Sequence, residues 1–202
     1  MRNKIIFSCF LLFVSLISSA QDIDFGIKGG LNLSSINGDS ENVSMRTSFH
    51  AGVVLELKFS DKFSFQPELL FSEQGAESNY SEQVGSESIK YESVLRMDYI
   101  NIPLLAKYYL TDGFAIEMGP NVGMLLSARN QETFNGVLQG EEIISDDINK
   151  IDFGLGMGLG YKFKFGGFIQ ARYNLGLSNL YKDSDDFKDV NTLFQISVGY
   201  FL

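Results

Sequence analysis

Residues 151–162 read IDFGLGMGLGYK, and this stretch decides the fold of the chain. Its large apolar side chains occupy odd-numbered positions from Ile151 to Tyr161, and its glycines occupy even-numbered positions from 154 to 160. In a helix these glycines would be spread around the surface, and each would reduce stability. In a strand they share one side, where they leave room for large neighbours inside a narrow barrel. The stretch therefore predicts a β-strand with one apolar face.

The same alternation with a period of two recurs along the chain. It is found near residues 24–33, 49–59, 63–72, 100–108, 114–124, 169–177 and 194–202. Together with residues 151–162, these stretches make eight strands, each long enough to cross a membrane when tilted, which takes about 9–11 residues. The sequence predicts an all-β protein, an eight-stranded antiparallel up-and-down transmembrane β-barrel whose last strand closes against the first.

The first twenty residues predict a cleaved signal peptide. Arg2 and Lys4 precede an apolar stretch at 5–17, and small residues at 18–20 precede Gln21. This order is typical of secretory signal peptides, and the apolar stretch is short for a membrane-spanning helix. We therefore expect residues 1–20 to be removed and residues 21–202 to form one exported barrel domain. That domain would contain no cysteine, because the only one is Cys9.

The predicted connections alternate between short and long. Short turns fall near 60–61, 111–113 and 166–167, whereas long loops fall at 34–48, 73–93, 128–149 and 178–191. An antiparallel barrel puts all the long loops at one end, and outer-membrane barrels have this asymmetry, with short periplasmic turns and longer external loops. After residue 20 the chain has no run of 18 apolar residues, which argues against a helical membrane protein.

The acidic excess of the chain is concentrated in the long loops. They contain 16 acidic and five basic residues, so their net charge is −11, which is also the net charge of residues 21–202. An acidic rim repels phosphates, so we do not expect nucleic acid as a partner. Asp183, Asp185 and Asp186 could hold Ca²⁺, but their spacing is not that of an EF-hand, and we favour a solvated loop.

Charged residues also recur on the polar face of the predicted strands. Side chains fill the interior of an eight-stranded barrel, and unpaired charges there are costly, so we expect these charges to pair. The predicted lumen network consists of Glu56, Lys58, Glu68, Lys107, Glu117 and Arg172. Such a network predicts a plugged lumen, and the alternative is a lumen that conducts or holds a small ligand.

The sequence predicts no enzyme. The single histidine, His50, is interpreted as one more polar group of the lumen. The chain has no Gly-x-Ser-x-Gly, no His-x-x-x-His and no phosphate-binding loop. We therefore predict no catalytic, cofactor-binding or metal-binding residues, and no cofactor.

Six segments together carry a resemblance to a known family. They are FGIKGGLNLSS at 25–35, FSFQPELLFSEQG at 63–75, YINIPLLAKYYL at 99–110, FAIEMGPNVGMLLSA at 114–128, DFGLGMGLGYKF at 152–163 and ARYNLGLSNL at 171–180. In order and spacing they resemble the PorT-like outer-membrane β-barrel proteins of Bacteroidota. The resemblance implies an outer-membrane barrel, with some relatives tied to protein secretion, and it does not imply an enzyme. The chain has no Trp, so an aromatic girdle would have to be built from Tyr and Phe.

Three functions of different kinds fit these observations. The favoured one is a structural or interaction role in the outer membrane, as a scaffold or as an accessory of protein secretion or of the envelope. Its expected partners are outer-membrane lipid and envelope or secretion proteins. The second is a narrow pore or a small-ligand-binding barrel. The third is a soluble secreted barrel of the lipocalin kind.

Overall fold

The computed structural model describes residues 22–39, 43–84, 87–182 and 188–202, which form nine β-strands. The strands are β1 (Asp22–Gly38), β2 (Val43–Lys58), β3 (Phe63–Val84), β4 (Glu87–Tyr109), β5 (Phe114–Phe134), β6 (Val137–Ile143), β7 (Ile151–Lys162), β8 (Gly167–Gly176) and β9 (Asp189–Phe201). The predicted signal peptide at 1–20 and the Asp183, Asp185 and Asp186 group lie outside the described residues. Within the described ranges, no helix has the length and apolar composition needed to span a membrane.

Eight of the strands close into a ring. Each strand pairs antiparallel with the next along the chain, except that β7 follows β5 around the ring. The ring closes where β1 pairs with β9, from Gly26 opposite Phe201 to Gly38 opposite Asp189. The predicted eight-stranded barrel, closed by its last strand, is therefore confirmed. The ninth strand, β6, was not predicted, and among the described strands it pairs with β5 alone.

The barrel is apolar outside and polar inside. On β8, Ile169 and Tyr173 point outward and are about half exposed, whereas Gln170 and Arg172 point inward and are buried. The same arrangement holds around the ring, so the outer surface carries a continuous apolar belt. Such a belt is far larger than the apolar patches of soluble monomers, and it is what lipid requires.

The two ends of the barrel differ, as the connection lengths predicted. Short connections at 59–62, 110–113 and 163–166 lie at one end, here called the turn end. The opposite end, here called the loop end, is more ordered than predicted. Much of 73–93 and 128–149 is strand, because β3, β4 and β5 have 22, 23 and 21 residues, about twice the length that crosses a membrane. The prediction of loops there was wrong, and the extra length forms a sheet that projects beyond the belt.

A tight hairpin joins β5 to β6. Asn135 and Gly136 have positive φ angles of 46° and 77°, the left-handed conformation that two-residue hairpin turns require. Asn-Gly between two β-rich stretches is a strong hairpin signal in a sequence, so this strand pair could have been predicted.

The inward glycines of β7 make room for the polar lumen. A Cβ added to Gly158 would lie 2.7 Å from the Ala171 carbonyl oxygen and 2.9 Å from Glu117 Oε1. We expect Gly158→Ala to lower the free energy of unfolding by about 1–3 kcal/mol, because it overpacks the lumen. Gly140→Ala is the control, since a Cβ there meets nothing within 4 Å, and it should be neutral or stabilising. Denaturant titration in detergent micelles measures both, and equal effects would contradict the steric explanation.

Candidate functional site

A cluster of charged side chains crosses the middle of the lumen. Arg172 donates two hydrogen bonds to Glu68, with N–O distances of 2.9 and 2.8 Å, and a third, from Nε, to Glu117 Oε1 at 2.7 Å. All three side chains are essentially inaccessible to water. Arg172 lies on β8 and Glu68 on β3, which are diametrically opposite in the ring. The bidentate pair therefore ties the two walls of the barrel together across its axis.

Lys28 completes this cluster from β1. Its Nζ lies 3.0 Å from Glu68 Oε2 and 3.0 Å from Gln170 Oε1, and Gln170 Nε2 donates to Glu117 Oε2 at 3.0 Å. The central ion cluster, defined as Lys28, Glu68, Glu117 and Arg172, thus has two cations, two anions and no net charge. Buried charges are tolerated when they are paired and hydrogen-bonded in this way.

A second group of charges continues the network toward the turn end. Lys107 Nζ donates to Gln66 Oε1 at 2.8 Å and lies 3.3 Å from Glu56, and Gln66 Nε2 donates to Glu68. Glu56 also accepts hydrogen bonds from Ser64 and Tyr109 and lies 3.2 Å from Lys162. Hydrogen bonds and ion pairs therefore form one continuous chain from the central ion cluster to the turn end.

A neutral layer lies on the other side of the central ion cluster. His50 Nδ1 lies 2.8 Å from Asn32 Oδ1, and His50 Nε2 lies 2.8 Å from Ser197 Oγ. Asn32 also accepts a hydrogen bond from Gln195 and donates one to Ser72. Both nitrogens of the imidazole are engaged in structural hydrogen bonds. His50 thus has the position of a lumen packing residue rather than that of a general base.

An apolar lid covers the loop end of the lumen. The lid consists of Ile148 and Leu180, which come from the β6–β7 and β8–β9 connections. Both side chains are at most 4% exposed, and they pack on an inner wall of apolar side chains. That wall consists of Ile36, Ala76, Leu95, Met97, Tyr99 and Ala128.

The two connections that carry the lid are also bonded to each other. Asn149 N donates to Leu180 O at 2.8 Å, and Lys182 N donates to Asp147 O at 2.9 Å. Tyr181 packs beside the lid, where burial and the nearby Asp189 carboxylate raise the pKa of its phenol.

Five of the six side chains of the predicted lumen network lie together in the barrel. Glu56, Glu68, Glu117, Lys107 and Arg172 all belong to the continuous chain of contacts. Lys58 does not contact the predicted carboxylates. Its Nζ lies 2.8 Å from Asp24 at the turn end, where both side chains are about a third exposed, so Lys58 joins the network only through Asp24 and Lys162.

Three parts of the site are absent from the predicted lumen network. Lys28 and Lys162 alternate with apolar residues on strands that were predicted, so their inward orientation was readable but their partners were not. The lid was missed altogether, and apolar residues of the same acidic stretch do not indicate it, since Ile148 is buried whereas Ile143 is exposed. Among the described residues, no group of three or more His, Cys, Asp or Glu side chains could hold a metal ion.

Comparison with known proteins agrees with this geometry. The family model of the outer membrane protein beta-barrel domain matches residues 19–182, most of the chain. The chain belongs to this family. No curated protein matches it.

Solved structures of other barrels share the fold. The barrel is similar to Ail, the attachment invasion locus protein of Yersinia pestis, with 12% identity and a TM-score of 0.50, covering 90% of this chain and 100% of Ail. It is also similar to neisserial surface protein A, with 9% identity and a TM-score of 0.52, covering 90% of this chain and 100% of that protein. At such identities the likeness shows the fold alone. Family and fold together support an outer-membrane location, and barrels of this membrane generally have their short turns in the periplasm and their longer loops outside the cell.

Proposed function

We propose that this outer-membrane barrel is a non-conducting scaffold. Its projecting sheet, formed by the parts of β3, β4 and β5 beyond the apolar belt, is presented to protein partners of the envelope. The observation that carries the proposal is the filled lumen. The central ion cluster bridges opposite walls, and the apolar lid covers one mouth. An ion on this path would have to displace buried, paired charges, which costs several kcal/mol.

The length of β3, β4 and β5 supports the interaction half of the proposal. Crossing the membrane uses about half of each strand, so the remainder serves no membrane-spanning purpose. A rigid sheet positions contact residues better than a flexible loop does. We further propose, from the resemblance to PorT-like proteins, that the partners belong to protein secretion or envelope assembly. The proposal assigns no catalytic step to the chain.

Planar bilayer recording tests whether the lumen conducts. We expect the purified barrel to give no discrete current steps, while a porin reconstituted in the same way gives them. Steps in the wild-type protein that change in size or disappear in Arg172→Ala would place the conducting path through the central ion cluster and would refute the plug.

A small-ligand-binding barrel is the second candidate. It is favoured by an open vestibule of about 750 Å³ at the turn end, lined by charged residues that include Asp24, Lys58 and Lys162. The vestibule ends at the chain of paired charges. A ligand there would be taken up from the periplasm and would not pass through the barrel. Measuring ligand flux across the vesicle membrane therefore separates binding, which gives no flux, from transport, which does.

A further inference from the structure

Three aromatic side chains form a row on the projecting sheet. Tyr80 on β3 is paired in register with Tyr91 on β4, which is paired with Phe134 on β5. The ring centroids of neighbouring members are 6.5 and 5.0 Å apart. This aromatic row, Tyr80, Tyr91 and Phe134, crosses three strands at the part of the projecting sheet that is farthest from the apolar belt. Tyr91 and Phe134 meet edge to face, whereas the rings of Tyr80 and Tyr91 are tilted by 37°, and rings at these distances hold one another in place.

The aromatic row lies outside the membrane belt. Each of its members shares a sheet face with a buried residue of the apolar inner wall beneath the lid, because steps of two along a strand stay on one face. On β3, Tyr80 lies four positions from buried Ala76, a distance of about 13 Å along the strand. Tyr80 and Tyr91 are nevertheless 51% and 46% exposed. The row is therefore an apolar surface exposed to water, on the inner face above the lid.

A groove runs along this surface. It encloses about 350 Å³ beside the aromatic row and is also lined by Glu132 and Gln139. Through Ser78 and Ser93 it continues into a second groove of about 460 Å³, which reaches Tyr181 beside the lid. A groove of this size and composition fits side chains of a partner rather than a flat contact.

The charge of the groove has one sign. Glu132, which shares the face of the aromatic row, lines its first part, and Asp39 lines its second part, while among the described residues no Lys or Arg lines either part. Ser93 Oγ donates to Asn130 Oδ1 at 2.8 Å, and Asn130 Nδ2 donates to Glu132 Oε1 at 3.3 Å. Among the described groups, Asn130 is thus a fixed neutral donor to Glu132, whose negative charge stays available to a ligand.

We propose that this groove binds Lys and Arg side chains of an extended segment of a partner protein. Aromatic faces attract cations, and they do so most strongly where carboxylates stand beside them. The aromatic row supplies the faces, and Glu132 supplies the charge beside them. The inference rests on the proposed scaffold function and specifies its partner, which is a basic protein segment reached outside the cell.

Binding of defined peptides to the full barrel in detergent micelles tests the proposal. The probes are fluorescent twelve-residue peptides of one design that carry four Arg, four Lys, four Ser or four Glu. We expect the Arg and Lys peptides to bind and the Ser and Glu peptides to bind at least about tenfold more weakly. Tyr91→Ala should weaken binding of the Arg peptide about fivefold, whereas Tyr91→Phe, which keeps the aromatic face, should stay within about twofold.

Glu132→Gln and Asp61→Asn form a matched pair that separates local from overall charge. Each removes one negative charge, but Asp61 lies on a turn-end connection, far from the groove. Only Glu132→Gln should weaken binding of the Arg peptide, by about threefold. Equal loss in both variants, equal binding of the Ser peptide, or tight binding of a neutral oligosaccharide that Tyr91→Ala abolishes would overturn the proposal. Heat-modifiable gel migration confirms folding, and bilayer recording tests the scaffold function separately.

Discussion

Arg172→Met should destabilise the barrel by about 3–5 kcal/mol, which is the effect of removing one partner from a buried, hydrogen-bonded charge group. The substitution leaves Glu117 with Gln170 as its remaining lumen donor and removes two of the bonds that Glu68 accepts. It also removes the tie between β3 and β8 across the axis. Titration of the barrel with guanidinium in lipid vesicles, with heat-modifiable gel migration as the readout of the folded fraction, measures the loss of unfolding free energy.

Two companion variants decide whether the effect comes from an unpaired charge. Arg172→Met combined with Glu117→Gln removes one charge of each sign and leaves Lys28 paired with Glu68, so it should recover at least about 2 kcal/mol. Lys58→Met breaks the partly exposed pair with Asp24 and should cost no more than about 1 kcal/mol. A loss in Arg172→Met no greater than that in Lys58→Met would contradict the structural role of the central ion cluster.

The period of two in the sequence determines which side chains point inward, and this is why most of the lumen could be predicted. Glu68, Glu117 and Arg172 each alternate with apolar residues along their own strand, so their orientation requires no knowledge of other strands. The pairing of Arg172 with Glu68 could not be predicted. It depends on the stagger of strands around the ring, which local sequence does not specify.

Lys58 shows the limit of the same reasoning. It alternates correctly on β2, but it is the last residue of that strand, so its ammonium reaches the turn end, where water is available. Alternation gives the face of a strand and not the depth in the barrel. A prediction of lumen contacts therefore needs two things for each charged residue, which are the strand face that it occupies and its distance from the end of the strand.

The projecting sheet was missed for a different reason. Residues 73–93 and 128–149 are rich in polar residues on both faces, because water surrounds them beyond the membrane, and the apolar alternation that marks a membrane strand is lost. Backbone pairing continues nevertheless, since β3 and β4 stay in register through Val84 opposite Glu87. Only the Asn-Gly turn and the aromatic residues at 80, 91 and 134 indicated strand structure there.

Ile148→Asp should open the loop-end mouth of the lumen while leaving the barrel folded. Ile148 is fully buried in the apolar cluster, so a carboxylate at this position would be desolvated and unpaired. Outward movement of the β6–β7 connection would return the carboxylate to water. The barrel strands keep all their pairings in the open form. A lid that is displaced most of the time exposes the neutral layer around His50 to water.

Thiol accessibility measures this opening. Residues 21–202 contain no cysteine, so in protein prepared without residues 1–20 Ser72→Cys places a single thiol in the lumen, at a position that is 0% exposed. In vesicles with the loop end outward, a charged thiol reagent should modify this thiol at least about tenfold faster when Ile148→Asp is also present, because each 1.4 kcal/mol lost from the closed form raises the open-to-closed ratio tenfold. Leu138→Asp is the control, since Leu138 is exposed on β6 and should leave the rate unchanged. If the thiol reacts equally fast with and without Ile148→Asp while gel migration shows a folded barrel, Ile148 does not close the lumen, and the charged network alone must account for any lack of conductance.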